Sequence, residues 1–275
     1  MAELVCAIGV PHTPAFPRIV ARDGPECSTA RLYRAVREQL EAVQPDVIVI
    51  YDSDHLNTFF LQNLPTFAIG VAPQTEGPND DNTGLPRVPV PSHEPLAQHL
   101  LTSSVNAGFD FSLSHHYSID HSIMVPLHFV TPKLNVPVVP IFINGIVPPL
   151  PGAKRCFSLG EAIVEAIAKW PAGLRVAAIA SGSFSLEVAG PMMEPGQNSG
   201  VPDLAWSHRV VKLLEAGKID DLLQETTMEQ LYRAGNVAGE ILNWVAILGM
   251  VGKRKPSFIE NHDDYGHAFG VWRWD

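Results

Sequence analysis

Cysteine is scarce in this chain: Cys6, Cys27 and Cys156 lie far apart and are odd in number. That pattern excludes a disulfide framework and a cysteine-rich zinc ribbon. Basic residues are also few. Nineteen Lys and Arg stand against 29 Asp and Glu, a formal net charge of −10, and no basic run or stripe occurs. Nucleic acid and an anionic membrane surface are therefore not expected as partners, whereas a small substrate needs no such field. No apolar run reaches the roughly 18 residues of a membrane span. The amino terminus carries Glu3 and no basic stretch leading into an apolar one, so the expectation is a cytoplasmic protein without a secretory signal. Internal repeats and low-complexity linkers are missing too. What is present is a chain of 275 residues, 46% hydrophobic and 17% charged, which suffices for a full core. A single domain over 1–275 is the expectation.

The apolar residues that are there fall into short runs. "LVCAIGV" (4–10) and "VIVIY" (47–51) are rich in β-branched residues with no polar alternation, as in strands buried on both faces. "TARLYRAVREQLEAV" (29–43) between them has helical spacing, so the first 50 residues read strand, helix, strand. Further strands are predicted at 137–145 and 175–183, and helices at 159–170, 204–217 and 238–252. Strands alternating with helices predict an α/β layer architecture. Residues 72–92, "APQTEGPNDDNTGLPRVPVPS", predict the longest loop, one that covers a site rather than separating domains.

Histidine is plentiful, at eleven residues, and two of them stand out. His12, in "VPHTP", directly follows the first strand and is held between two prolines, which stiffen the backbone. It is either a turn residue or an imidazole aimed into a site. His55, in "YDSDHLNTFF", follows the second strand. Ligands of α/β sheets gather at the carboxyl ends of strands, where both residues sit. Glu240 lies in "NVAGEILNWVAILG", a segment otherwise almost free of charge. It is either a first-turn residue favoured by the helix dipole or a buried ligand. Two histidines and one carboxylate would form the facial arrangement of non-heme Fe(II), which leaves positions open for substrate and O2.

Taken in order, "GVPHTP", "DSDHLNTFF", "FAIGVA", "IDHSIMVPLHF", "VPVVPIFINGIVPPLPGAKRCFSLGEAI" and "AGEILNWVA" resemble the class III (type II, LigB-like) extradiol ring-cleaving dioxygenases. Each motif is weak alone, but the order and separations are specific, and the likeness spans nearly the whole chain. The resemblance implies a layered α/β fold with a central mixed sheet flanked by helices. It implies Fe(II) held at His12, His55 and Glu240, and cleavage of a catechol-like aromatic ring with O2. It makes His121, which alone would read as a turn residue, an active-site acid or base that positions phenol or dioxygen. A homo-oligomer is implied as well, and some members use a small separate subunit as a lid. His115 and His116 have no matching role, and His93, His99, His128 and His208 read as structural. Phe59, Phe60 and Trp244, close to the ligands in sequence, are candidates for packing a substrate ring.

One departure stands out. After "RVAAIA" the family places Ser-His, the histidine serving as base, whereas this chain reads "SGSFSLEVAG" with Leu186 at that place. Leucine accepts no proton, and general-base help is worth about 10² to 10⁴ in rate. His116, His267 and Glu187 are the candidate replacements; metal acidification of the substrate is another route. The alternatives to a dioxygenase are a catalytically silent binding subunit and a metal-dependent hydrolase, since three ligands with an open position also suit zinc.

Overall fold

The computed structural model describes residues 1–193, 196–263 and 265–274. The chain starts with β1 (Glu3–Val10), α1 (Phe16–Asp23), α2 (Ser28–Val43), β2 (Val47–Asp52) and β3 (Phe67–Gly70). A small hairpin follows, β4 (Gln74–Gly77) and β5 (Val88–Pro91), then α3 (Glu94–Asn106), β6 (Phe111–Ser114), α4 (His121–Val130) and β7 (Val138–Ile143). Next come α5 (Ala153–Ala168), β8 (Arg175–Ser181), the two-residue strands β9 (Glu187–Val188) and β10 (Ser199–Gly200), and α6 (Leu204–Ala216). The last part holds α7 (Ile219–Glu225), α8 (Met228–Ala234), α9 (Ile241–Val251), β11 (Phe258–Asn261) and β12 (Ala268–Arg273).

Eight strands form the central sheet in the order β11, β12, β1, β8, β2, β7, β3, β6. The middle four, β1, β8, β2 and β7, are parallel. β12 joins β1 antiparallel and β3 joins β7 antiparallel, so the sheet is mixed. The middle strands are covered on both sides, which is why they read as unbroken apolar runs. Along β1, Ala7 faces the layer of α5 and α9 while Cys6 and Ile8 face the layer of α2 and α4. Along β2, Val49 and Ile50 divide in the same way. Leu32, Val36, Leu40 and Val43 make the buried stripe of α2, with the spacing of one helix face.

Three local readings are corrected by this arrangement. The helix predicted over 238–252 is broken: Ala238–Glu240 form a 3-10 turn, and the α-helix begins at Ile241. The helix predicted over 159–170 starts six residues earlier, at Ala153. The stretch 72–92 is not all loop, because β4 and β5 pair antiparallel and leave only 78–87 between them. Val90 of β5 is buried in the core, while the prolines of this two-stranded ribbon need no ladder N–H. Among the described residues no helix is long and apolar enough to cross a membrane.

Candidate metal centre

Three neighbouring parallel strands deliver the side chains of the site at their carboxyl ends. His12 stands two residues past β1, Ser181 and Ser183 at and beyond the end of β8, and His55 three residues past β2. The turn that presents His55 is tied by Asp54, whose carboxylate accepts the backbone N–H groups of Asn57, Thr58 and Phe59 at 2.9–3.1 Å. Burial, then the charge of Asp120, pushes the Asp54 carboxyl up to about 6. Glu240 enters from the 3-10 turn ahead of α9 and is fully buried, so it is not an exposed first-turn residue. Its approach depends on Gly182, where a Cβ would stand 2.6 Å from the Glu240 Cβ.

The side chains converge. Glu240 Oε1 lies 3.0 Å from His12 Nε2 and 3.2 Å from His55 Nε2, and its Oε2 accepts the backbone N–H of Ser183 at 2.8 Å. His12 and His55 meet edge to face, ring centroids 5.2 Å apart at 77°. His121, the first residue of α4, lies nearly parallel to His55, centroids 4.2 Å apart at 26°. One ligand atom from each of His12, His55 and His121 lies within 4.8 Å of the others, as do atoms of Asp80, Asp120 and His121.

The far nitrogens reveal the tautomers. Asp120 accepts from the backbone N–H and Nδ1 of His55, both at 2.9 Å, and a carboxylate can only accept. His12 Nδ1 meets Ser181 Oγ at 2.8 Å, and that hydroxyl donates its proton to the Ser122 carbonyl. Ser181 must therefore accept from His12, so both rings carry hydrogen on Nδ1 and aim Nε2 at Glu240, where so short a contact with a carboxylate oxygen needs a proton or a cation between them. His121 Nδ1 is held in the same manner by Asp80.

Burial opposes ionisation of Glu240, but the charges and hydrogen bonds of His12 and His55 outweigh it and hold the carboxyl well below its usual range. Burial likewise opposes ionisation of Asp120, and His55 and His121 overcome it. Burial would lower the His55 pKa, yet Asp120 and Glu240 hold it well above the ordinary value. Burial and the neighbouring His55 lower that of His121. Two buried carboxylates around two imidazoles thus demand positive charge, which either protons on the rings or one divalent cation satisfies. The donor set of imidazole nitrogens and carboxylate oxygens, with second partners fixing the rings, fits a metal ion.

The cluster opens into a cleft of about 880 Å³ whose walls include Arg18, Asn82, Ile146, Ser183, Leu186 and Val237. Leu186 faces the cleft. Among the candidate bases, His116 is exposed and outside it. Glu187 is buried and spends its carboxylate on the backbone N–H groups of Asn236 and Met192. His267 is buried behind Ser183, with Nδ1 at 3.4 Å from Ser183 Oγ. Phe59, Phe60 and Trp244 do not line the cleft: Phe59 packs on Tyr117 and Phe142, and Phe60 is exposed. Trp244 fills the space above Gly9, where a Cβ would come within 2.3 Å of its ring. Sequence proximity to a ligand misled here: Phe59 and Phe60 lie in the irregular turn after β2, which sends one inward and the other to solvent, and Trp244 lies on a face of α9 turned to the sheet. The supporting residues Ser181, Asp120, Asp80 and His262 were not singled out by sequence reading. Asp120 had a usable signal, standing one residue ahead of a helix whose Ser122 N–H it caps. His93 caps α3 and His99 meets the Ala166 carbonyl, both structural.

Comparisons with known proteins agree over most of the chain. A relative from Burkholderia vietnamiensis (strain G4 / LMG 22486), named 2,3-dihydroxyphenylpropionate/2,3-dihydroxicinnamic acid 1,2-dioxygenase, is 28% identical over 95% of this chain and 92% of its own. A protein of the same name from Klebsiella pneumoniae (strain 342) is 28% identical over 86% of this chain and 81% of its own. The crystal structure of an uncharacterized Escherichia coli K12 protein superposes with a TM-score of 0.57 at 15% identity, covering 97% of this chain and 98% of the other, which shows the shared fold. The family model described as the catalytic LigB subunit of aromatic ring-opening dioxygenase matches residues 6–272. This chain belongs to the LigB family of aromatic ring-opening dioxygenases.

Proposed function

We propose that this chain is an extradiol dioxygenase that holds one Fe(II) ion through Nε2 of His12, Nε2 of His55 and the carboxylate of Glu240. The observation that carries the reading is the meeting of both Nε2 atoms on one Glu240 oxygen while both Nδ1 positions are tied off. His12, His55 and His121 could also converge on an ion, but Glu240 brings the negative charge that a divalent cation offsets and meets both Nε2 atoms directly. Bound Fe(II) supplies Lewis acidity towards the two ring hydroxyls and the electron chemistry that makes O2 reactive.

The protein's own part is binding, orientation and proton handling. His121, neutral and anchored by Asp80, keeps its other ring nitrogen for exchanging a proton with substrate or oxygen. Ile146, Leu186, Val188 and Val237 give the cleft apolar walls for an aromatic ring. Arg18 is the only Lys or Arg among the described lining residues and is engaged by no described carboxylate. It suits a substrate side chain ending in a carboxylate, as the names of the relatives suggest. Residues 1–275 act as one catalytic domain, and the segment between β4 and β5 covers the cleft with Asn82 and Asp80. The working form is a homo-oligomer.

The test is anaerobic reconstitution with Fe(II), addition of a catechol panel that includes a propionate-bearing catechol, and admission of air. Oxygen consumption with a new yellow ring-opened product is the expected result. Tight catechol binding with no uptake, or turnover with Zn(II) and no oxygen, overturns the proposal.

A further inference from the structure

The hairpin of β11 and β12 closes on two histidines that the chemistry above leaves unused. His262 and His267 are both buried, and His262 Nδ1 meets His267 Nε2 at 2.9 Å. Each ring also has a partner on its other nitrogen. His267 Nδ1 faces Ser183 Oγ at 3.4 Å, and Ser183 lines the cleft. His262 Nε2 faces Thr29 Oγ1 at 3.0 Å and Ser28 Oγ at 3.3 Å, at the start of α2, where Ser28 is partly exposed. An unbroken line of exchangeable protons therefore runs from the cleft to the surface.

The surroundings keep this line tight and neutral. Phe16, Tyr265 and Phe269 pack on His262, and Phe16 and Tyr265 on His267. The charged groups that act on the pair are Asp263, Arg31 and Glu260 near His262, and His12 and Glu240 near His267. Burial lowers both pKa values, that of His262 to about 4, so at neutral pH each ring donates through one nitrogen and accepts through the other.

We propose that Ser183, His267 and His262 form a proton relay that carries the proton of a substrate hydroxyl out of the cleft to Ser28 and solvent. The inference rests on the ring-cleavage reading above. The substrate O–H bond breaks and Ser183 Oγ takes the proton while passing its own to His267 Nδ1. His267 gives up its Nε2 hydrogen to His262 Nδ1, and His262 hands its Nε2 hydrogen to Thr29 or Ser28 and on to water. No electrons change hands, and the reverse flow returns one proton when the product leaves. The relay supplies proton acceptance in a cleft whose wall at position 186 is leucine. Its longest link is the 3.4 Å contact at Ser183, and catalytic hydrogen bonds commonly tighten once substrate binds.

The experiment follows 4-nitrocatechol, whose ionisation is visible by absorbance, as it binds the Fe(II) protein without oxygen. Wild type should ionise it in a fast step with a solvent deuterium isotope effect. His267→Gln and His262→Gln, which keep hydrogen bonding but cannot pass a proton through a ring, should slow that step at least about tenfold. Ser183→Ala should do the same and Ser183→Thr should restore the rate. Wild-type ionisation rates in variants with unchanged iron content overturn the relay. Should the variants fail to fold, the wild-type rate in H2O/D2O mixtures decides: a bowed dependence, from several protons in flight, supports the relay, and a straight line overturns it. Oxygen uptake with catechol is scored separately, so a failed relay leaves the ring-cleavage reading standing.

Discussion

Ser181→Ala removes one hydroxyl that satisfies two buried groups at once. Its proton goes to the carbonyl of Ser122 in the first turn of α4. In a regular helix that carbonyl would accept from the residue four positions on, but that residue is Pro126, which has no N–H. Its oxygen accepts from His12 Nδ1 at 2.8 Å and so sets the tautomer that turns Nε2 towards Glu240. Leaving a buried polar group unpaired costs about 1–3 kcal/mol. His12 can escape that cost only by moving its hydrogen to Nε2, where it blocks the metal. Losing such a supporting partner typically weakens metal binding by about 10- to 100-fold, or about 1.4–2.8 kcal/mol. Two readouts separate the effects: chemical denaturation of the metal-free protein, and anaerobic competition for Fe(II) with a chelator. A loss of about 2 kcal/mol in stability is expected from the orphaned carbonyl, together with the weaker iron binding. A less stable variant that holds iron as tightly as wild type would refute the tautomer argument and reduce Ser181 to a helix support.

Arg18→Gln should raise KM about tenfold for a carboxylate-bearing catechol and leave unsubstituted catechol unaffected, as steady-state kinetics on both substrates will show; equal effects on the two would remove Arg18 from side-chain recognition. Leu186→His should leave the iron content unchanged in metal analysis, because Leu186 lines the cleft but touches none of the proposed ligands' hydrogen bonds; a loss of iron would misplace it. The pH dependence of stability tests His262. Its folded pKa, about 4, lies below an unfolded value of about 6.5, so between these the unfolded chain binds the extra proton. Stability therefore falls in acid, rises with pH through that window and levels off above it. The full effect is at most about 3 kcal/mol. Denaturation midpoints at pH 4.5 and 7 should differ less in His262→Gln than in wild type, and parallel shifts in the two proteins would count against the assignment.

Much of the fold was readable because strands buried on both faces cannot hide their apolar runs. β1, β2, β7 and β8 were all found, and the rule that α/β sheets bind ligands at strand carboxyl ends pointed to His12 and His55. Glu240 could not be resolved the same way. An acid in an apolar stretch has two possible destinations, and only tertiary packing decides between them; here a 3-10 turn carries it inward past Gly182. The partners that tune the site were out of reach for a different reason. Ser181 is 169 residues from His12 and Asp120 is 65 from His55, and a serine ending a strand or an aspartate ahead of a helix has many ordinary explanations. The β4–β5 hairpin was missed because its prolines disguise a ribbon whose Val90 is nonetheless core.

The division of labour in the cleft follows from that distinction between strand ends and loops. His12, Ser181 and His55 follow parallel strands at the centre of the sheet, where both faces are packed and a ligand cannot drift. Arg18, Asn82 and Leu186 face the same cleft from a short helix, the β4–β5 segment and a turn, none of which belongs to the sheet. Under the proposed function, changes at these outer positions should alter what enters the cleft and where its proton goes without disturbing the proposed cation site. Leu186 is a position of that kind: under the proposed function it offers the cleft no proton acceptor, while His12 and His55 meet Glu240 independently of it. Ser181 and Asp120 hold the two imidazoles by Nδ1 around a fully buried carboxylate, and that burial is tolerable only beside positive charge.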